Sequence, residues 1–152
     1  FLDLFRADSS GNITMEVPIG DGKIGAIDTY DIGETSAVLL AGGKPLNGHA
    51  LLTGPENISM VRVADAFGSV AGRKITYVSP DPITYGAELE IEDSASAGDI
   101  VDIYEEIRSG TAEMVSNEVK RITGTPARSV EQFARANVEA INAAISAALS
   151  RW

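Results

Sequence analysis

The spacing of apolar residues changes period several times between residues 13 and 79, and that alternation limits the fold more than any other feature of the chain. Ile13, Met15 and Val17 alternate with Thr14 and Glu16, the pattern of a half-buried strand, and Pro18 ends it. Gly20-Asp21-Gly22 reads as a turn, and residues 23–28 as a second strand paired with the first. Asp31 is placed to cap a helix, and Glu34 three residues on completes a capping box; Gly42-Gly43 stops it. Residues 48–53 form a brief apolar run that predicts a buried strand, followed by a loop through Asn57. Ser59 caps a second helix carrying Val61, Val63, Ala64 and Phe67, which Gly72 terminates. Residues 73–79 predict another strand, closed by Pro80 and Pro82. The order β-β-α-β-α-β is that of an α/β protein with strands parallel across helical crossovers.

The rest of the chain predicts helices. Residues 91–107 carry Ile100, Val101, Ile103, Tyr104 and Ile107 on an apolar stripe, within an acidic stretch from Glu88 to Glu106. Residues 117–122 form a short helix stopped by Gly124 and Pro126. Ser129-Val130-Glu131-Gln132 is a second capping box, opening a long helix over residues 130–149. Its alanines at 136, 140, 144 and 148 share a four-residue spacing that permits close helix approach, so this helix is a candidate surface for self-association; the alternative is that this face packs inward on the same chain. No repeat or linker divides the chain, and residues 1–152 are expected to form a single unit.

Composition excludes several functions. With 12 Lys and Arg against 22 Asp and Glu, the formal charge is −10, which opposes nucleic-acid binding and docking on anionic membranes. No cysteine is present, so disulfides, iron–sulfur clusters and thiol nucleophiles are excluded, and a single histidine, His49, rules out multi-imidazole metal sites. The acidic stretch lacks the alternating ligands of an EF-hand and reads as a solvated helix face. No apolar run is long enough to span a bilayer, and the opening residues lack the pattern of a signal peptide, so a cytoplasmic origin is expected. Phe1 begins mid-pattern without an initiator Met, which leads us to expect a piece of a longer chain.

Gly20-Asp21-Gly22-Lys23-Ile24-Gly25 spells G-x-G-x-x-G, but a strand rather than a helix is expected after it, and Asp21 would repel a pyrophosphate. We read it as a turn. Asp28-Thr29-Tyr30-Asp31 is richer, because it joins the end of a strand to the start of a helix, where open α/β sheets place their ligands. Asp28 and Tyr30 are candidate substrate-binding residues; the alternatives are turn hydrogen bonding for Asp28 and packing for Tyr30. Tyr30 has no lysine four residues away on either side to lower its phenol pKa for proton transfer.

Five segments in order carry a resemblance. Residues 22–33 (GKIGAIDTYDIG), Leu51-Leu52-Thr53-Gly54-Pro55-Glu56, Arg73-Lys74-Ile75-Thr76-Tyr77-Val78, Arg121-Ile122-Thr123-Gly124-Thr125-Pro126 and Ser129-Val130-Glu131-Gln132-Phe133 resemble the NmrA-like family of atypical short-chain dehydrogenase/reductases. That family includes NAD(P)H:quinone oxidoreductases. The resemblance implies the last strands of a Rossmann-like sheet plus a small, mainly helical substrate domain, with the N-terminal dinucleotide-binding half missing. It further implies that NAD or NADP belongs to the full-length protein, that this chain alone holds no cofactor, and that the substrate is a quinone-like small molecule. It assigns no catalytic acid or base here. Besides a piece of an oxidoreductase, a redox-sensing NmrA-like regulator and a cofactor-free binding module stay open, as does a homodimer or a partner chain.

Overall fold

Residues 1–42, 48–88 and 94–151 are described by a computed structural model. In chain order they form β1 (Phe5–Ala7), β2 (Ile13–Glu16), β3 (Lys23–Ile24), α1 (Thr29–Leu40), β4 (Ile58–Ser59), α2 (Met60–Ala71), β5 (Ile75–Val78), α3 (Pro82–Glu88), α4 (Ser94–Arg108), α5 (Glu118–Thr123), α6 (Val130–Ala136) and α7 (Val138–Leu149). The fold is α/β.

The main sheet runs β1-β2-β5. β1 and β2 are antiparallel with Phe5 opposite Met15, while β2 and β5 are parallel with Ile13 opposite Ile75. A parallel pair across a helical connection is what the alternating pattern predicts, while the choice of β5 as the partner of β2 is seen only in the structure. Met15, Val63, Phe67 and Ile141 are fully buried between this sheet and the helices α2 and α7. Phe67 is the hub, with its ring centroid 6.2 Å from Phe5 and 6.0 Å from Phe133. Burial of each large side chain of this kind is worth about 1.5–3 kcal/mol. α2 is set by sequence at both ends: the Ser59 hydroxyl accepts from the Arg62 N–H, and Gly72 ends the helix in the left-handed conformation.

Five expectations fail, each for a physical reason. β3 does not pair with β2; it is only two residues long and lies antiparallel to β4, so residues 25–28 are extended but not laddered to the main sheet. Residues 48–53 form no strand, because the groups that anchor their end are side chains: the Ser116 hydroxyl donates to the Leu51 carbonyl, and the Thr53 hydroxyl accepts from the Ser116 N–H at 2.9 Å. Asp31 is not the cap of α1; Asp28 is, accepting the Tyr30 N–H at 2.9 Å. Pro82 opens α3 instead of closing a strand, since a first-turn proline needs no hydrogen-bond partner. The long helix divides at Asn137, whose side chain donates to the Phe133 carbonyl at 2.8 Å, so Ala136 and Ala140 are exposed while Ile141, Ile145 and Ala148 turn inward. The alanine spacing is therefore not one continuous face. α4 matches expectation from Ser94 to Arg108, and residues 91–93 lie outside the described residues. The capping box at Ser129 is formed, with the Gln132 side chain accepting from the Ser129 N–H.

Candidate functional site: a cleft at the start of α1

The extended segment before α1 is held by glycines that nothing larger could replace. A Cβ on Gly54 would stand 2.0 Å from the Ala26 carbonyl oxygen, and one on Gly25 would stand 2.2 Å from that of Met114. Gly54 also donates its N–H to the Gly25 carbonyl at 3.1 Å. The Thr53-Gly54-Pro55-Glu56 stretch therefore acts as a backbone clamp on residues 25–27, and the buried Thr53 hydroxyl ties that clamp to Ser116. Glu56 completes it from the other side: Arg62 bridges Glu56 at 2.6 Å and Glu131 at 2.9 Å. The two carboxylates raise the Arg62 pKa, with Glu56 the stronger influence. Glu131 is held below the ordinary carboxylate range, chiefly by the Ser129 hydroxyl that donates to it, then by its own backbone N–H, and then by Arg62.

Behind this clamp lies a cleft of about 530 Å³ between residues 26–29 and the start of α6. Ala26, Ile27, Ile58, Val130 and Phe133 give it apolar walls, and Asp28 and Arg128 supply polar groups. Asp28 uses both carboxylate oxygens. One accepts the Tyr30 N–H, and the other pairs with Arg128 Nη1 at 3.2 Å. Its side chain is only 6% exposed. With both oxygens engaged, Asp28 forms part of the cleft wall.

Tyr30 lies at the rim, not in the lining. It is 55% exposed, and the Arg128 guanidinium sits 3.7 Å from its ring centroid. Asp31, one turn in, is buried and accepts the Arg128 backbone N–H at 2.8 Å. The structure thus brings Asp28, Tyr30 and Asp31 together around one residue that sequence reasoning missed. Arg128 falls between two segments of the family resemblance and shows no periodicity. Its partners are 97 and 100 residues away in the chain. The only local signal is a basic residue directly before the Ser129 cap.

His49 is exposed, and among the described residues no cluster of three or more His, Cys, Asp or Glu could hold a metal ion. The glycine turn at 20–25 does not fit a dinucleotide. Gly22 and Gly25 face backbone carbonyls of the same chain, a Cβ on Gly22 lying 2.3 Å from that of Ile107, and the turn leads into β3. Pyrophosphate recognition needs those glycine faces open and a helix N-terminus behind them.

No family model matches the chain. Its sequence is 35% identical over 126 residues to "Uncharacterized oxidoreductase YesF" of Bacillus subtilis, covering 78% of this chain and 42% of that protein. It is 28% identical over 139 residues to the NAD(P)H azoreductase of Xenophilus azovorans, covering 84% and 46%. The chain thus spans less than half the length of these relatives. Among solved structures it matches an NADPH-dependent quinone oxidoreductase of Escherichia coli with a TM-score of 0.66 at 18% identity, over 81% of this chain and 44% of that one. It matches the negative transcriptional regulator NmrA, in complex with NAD, with a TM-score of 0.60 at 21% identity, over 84% and 44%. The chain has an NmrA-like fold. Its fold is that of NmrA-like and quinone-reductase-like proteins, and the two sequence relatives above are named as an oxidoreductase and an azoreductase. No helix among the described residues is long and apolar enough to cross a membrane.

Proposed function

We propose that this chain is the C-terminal, substrate-side part of an NAD(P)H-dependent oxidoreductase of the quinone-reductase kind. In this reading residues 1–152 act as one unit, the dinucleotide is held by polypeptide outside it, and the chain alone is inactive. The observation that carries the reading is the cleft itself: apolar walls, a paired Asp28–Arg128 at the junction leading into α1, and a glycine turn whose Gly22 and Gly25 are closed off by backbone carbonyls. The relatives give it support, since each is more than twice as long as the stretch it shares with this chain. The chemistry of hydride transfer belongs to the nicotinamide; the residues seen here would position an acceptor and exclude water. A cytoplasmic setting is part of the same reading. So is pairing of the outer β5 edge, which has no strand partner among the described residues, with a second copy or a partner chain.

A redox-sensing regulator is the second reading, supported by the structural match to NmrA with NAD. Two titrations test the proposal. Adding 1,4-naphthoquinone should shift the amide resonances of Ala26, Ile27 and Val130, and NADPH up to millimolar concentration should give no binding heat. Saturable 1:1 NADPH binding by the chain alone would overturn it.

A further inference from the structure

We infer that Arg128 is the specificity-determining residue of the cleft, and that it takes a neutral carbonyl oxygen on a flat apolar ligand rather than an anionic group. The inference rests on the reading of the cleft as a substrate site and narrows its ligand class.

The Arg128 guanidinium is held on its face and at one nitrogen. Its face is covered by the Tyr30 ring at 3.7 Å, and Nη1 is engaged by Asp28 at 3.2 Å. The main chain at the same residue is fixed by the buried Asp31. A guanidinium has five N–H donors in a rigid plane. Among the described residues only Nη1 has a hydrogen-bond partner, while the side chain stays 32% exposed and forms part of the cleft lining. Donors therefore remain in a fixed plane beside Ala26, Ile27, Val130 and Phe133. A planar ring carrying a carbonyl satisfies both surfaces together.

Charge decides against an anion. The positive charge of Arg128 is already balanced by Asp28, whose side chain is almost fully buried. A carboxylate or phosphate placed on Arg128 would meet that carboxylate at short range. It would either displace Asp28, leaving a buried charge unpaired, or bear the repulsion. A neutral acceptor pays neither cost and gains a hydrogen bond to a charged donor.

Three naphthalenes of matched ring size test this: 2-acetylnaphthalene, 2-ethylnaphthalene and 2-naphthoate, titrated into the full chain and followed at the amide resonances of Ala26, Ile27 and Val130. The ketone should bind about tenfold more tightly than the ethyl analogue, as a hydrogen bond to a charged group allows. The carboxylate should bind more weakly than the ketone. Arg128→Met should abolish the difference between ketone and ethyl analogue, and Arg128→Lys should keep part of it. Equal binding of ketone and ethyl analogue, or tightest binding of the carboxylate, would overturn the inference while leaving the cleft as a ligand site. If none of the three moves those resonances, the cleft reading falls and the inference with it. Should Arg128→Met fail to fold by circular dichroism, the ranking of the three ligands on the native chain still decides.

Discussion

α1 and α2 are both 12-residue helices with a side-chain cap, yet they are held by opposite means. α2 buries Met60, Val63, Ala64, Ala66 and Phe67 against the main sheet. α1 buries only Asp31 and Thr35, and leaves Ile32 and Leu40 exposed. Apolar burial fixes α2 without regard to direction, whereas α1, which packs beside α5, is tied to the segment before α6 by a directed hydrogen bond from the Arg128 N–H to the Asp31 carboxylate, and inside the helix the Thr35 hydroxyl donates to the Asp31 carbonyl at 2.7 Å. The cleft opens beside the polar helix. That division matches a general tendency, in which a rigid apolar scaffold carries a site built from polar groups at the ends of its elements.

The contrast can be broken most forcefully at the hub. Phe67→Ala removes a fully buried ring from between Phe5 and Phe133, and should cost about 3–5 kcal/mol in urea unfolding. A cost below about 1 kcal/mol, the range of surface changes, would show that the α2 side is not the scaffold. A smaller effect belongs to α1. Asp31→Ala leaves the Arg128 N–H without its acceptor and should cost about 1–3 kcal/mol. Asp31→Asn keeps an acceptor oxygen and should cost clearly less; equal losses would mean that charge, not the hydrogen bond, holds α1 to the segment before α6.

The smallest effect sharpens the comparison through pH. Glu131 ties α6 to α2 through Arg62, and its folded pKa lies below the ordinary value of 4.5. A carboxylate lowered in the folded state adds stability that is present above its unfolded pKa and is lost as pH falls through the lowered folded value. Unfolding midpoints should therefore drop as the solution is acidified below about pH 4.5, and Arg62→Gln should flatten part of that drop. An acid profile unchanged by Arg62→Gln would remove the Glu56–Arg62–Glu131 bridge from the forces that join these elements.

Much of the scaffold was legible because its signals are local. Ser59 and Gly72 bound α2, Ser129 and Gln132 form their box, Gly124 ends α5, and the alternation of Ile13, Met15 and Val17 marks β2. At the start of α1 the local signals misled. Asp28 and Asp31 both suit a cap, and the sequence offers no way to see that Asp31 is claimed by a backbone N–H 97 residues away. Tyr30 stood beside Asp28 in the sequence and is turned to the rim by the Arg128 guanidinium. Residues 48–53 looked like a strand because they are apolar, but a ladder needs a neighbouring strand in register, and Thr53 and Ser116 supply the hydrogen bonds instead.

The residue pattern alone carries the α/β class, parallel strands across helical crossovers, the caps of α2 and α6 and the NmrA-like resemblance. Each of these depends on residues a few positions apart, or on an order of motifs that survives without coordinates. The folded chain is what sets the partners of β2 and β3, the need for glycine at Gly25 and Gly54, and the residue that unites the cleft. Close approach of two backbones and the pairing of Arg128 with Asp28 are set by segments far apart in the chain, and a distance of that kind leaves no local periodicity to read.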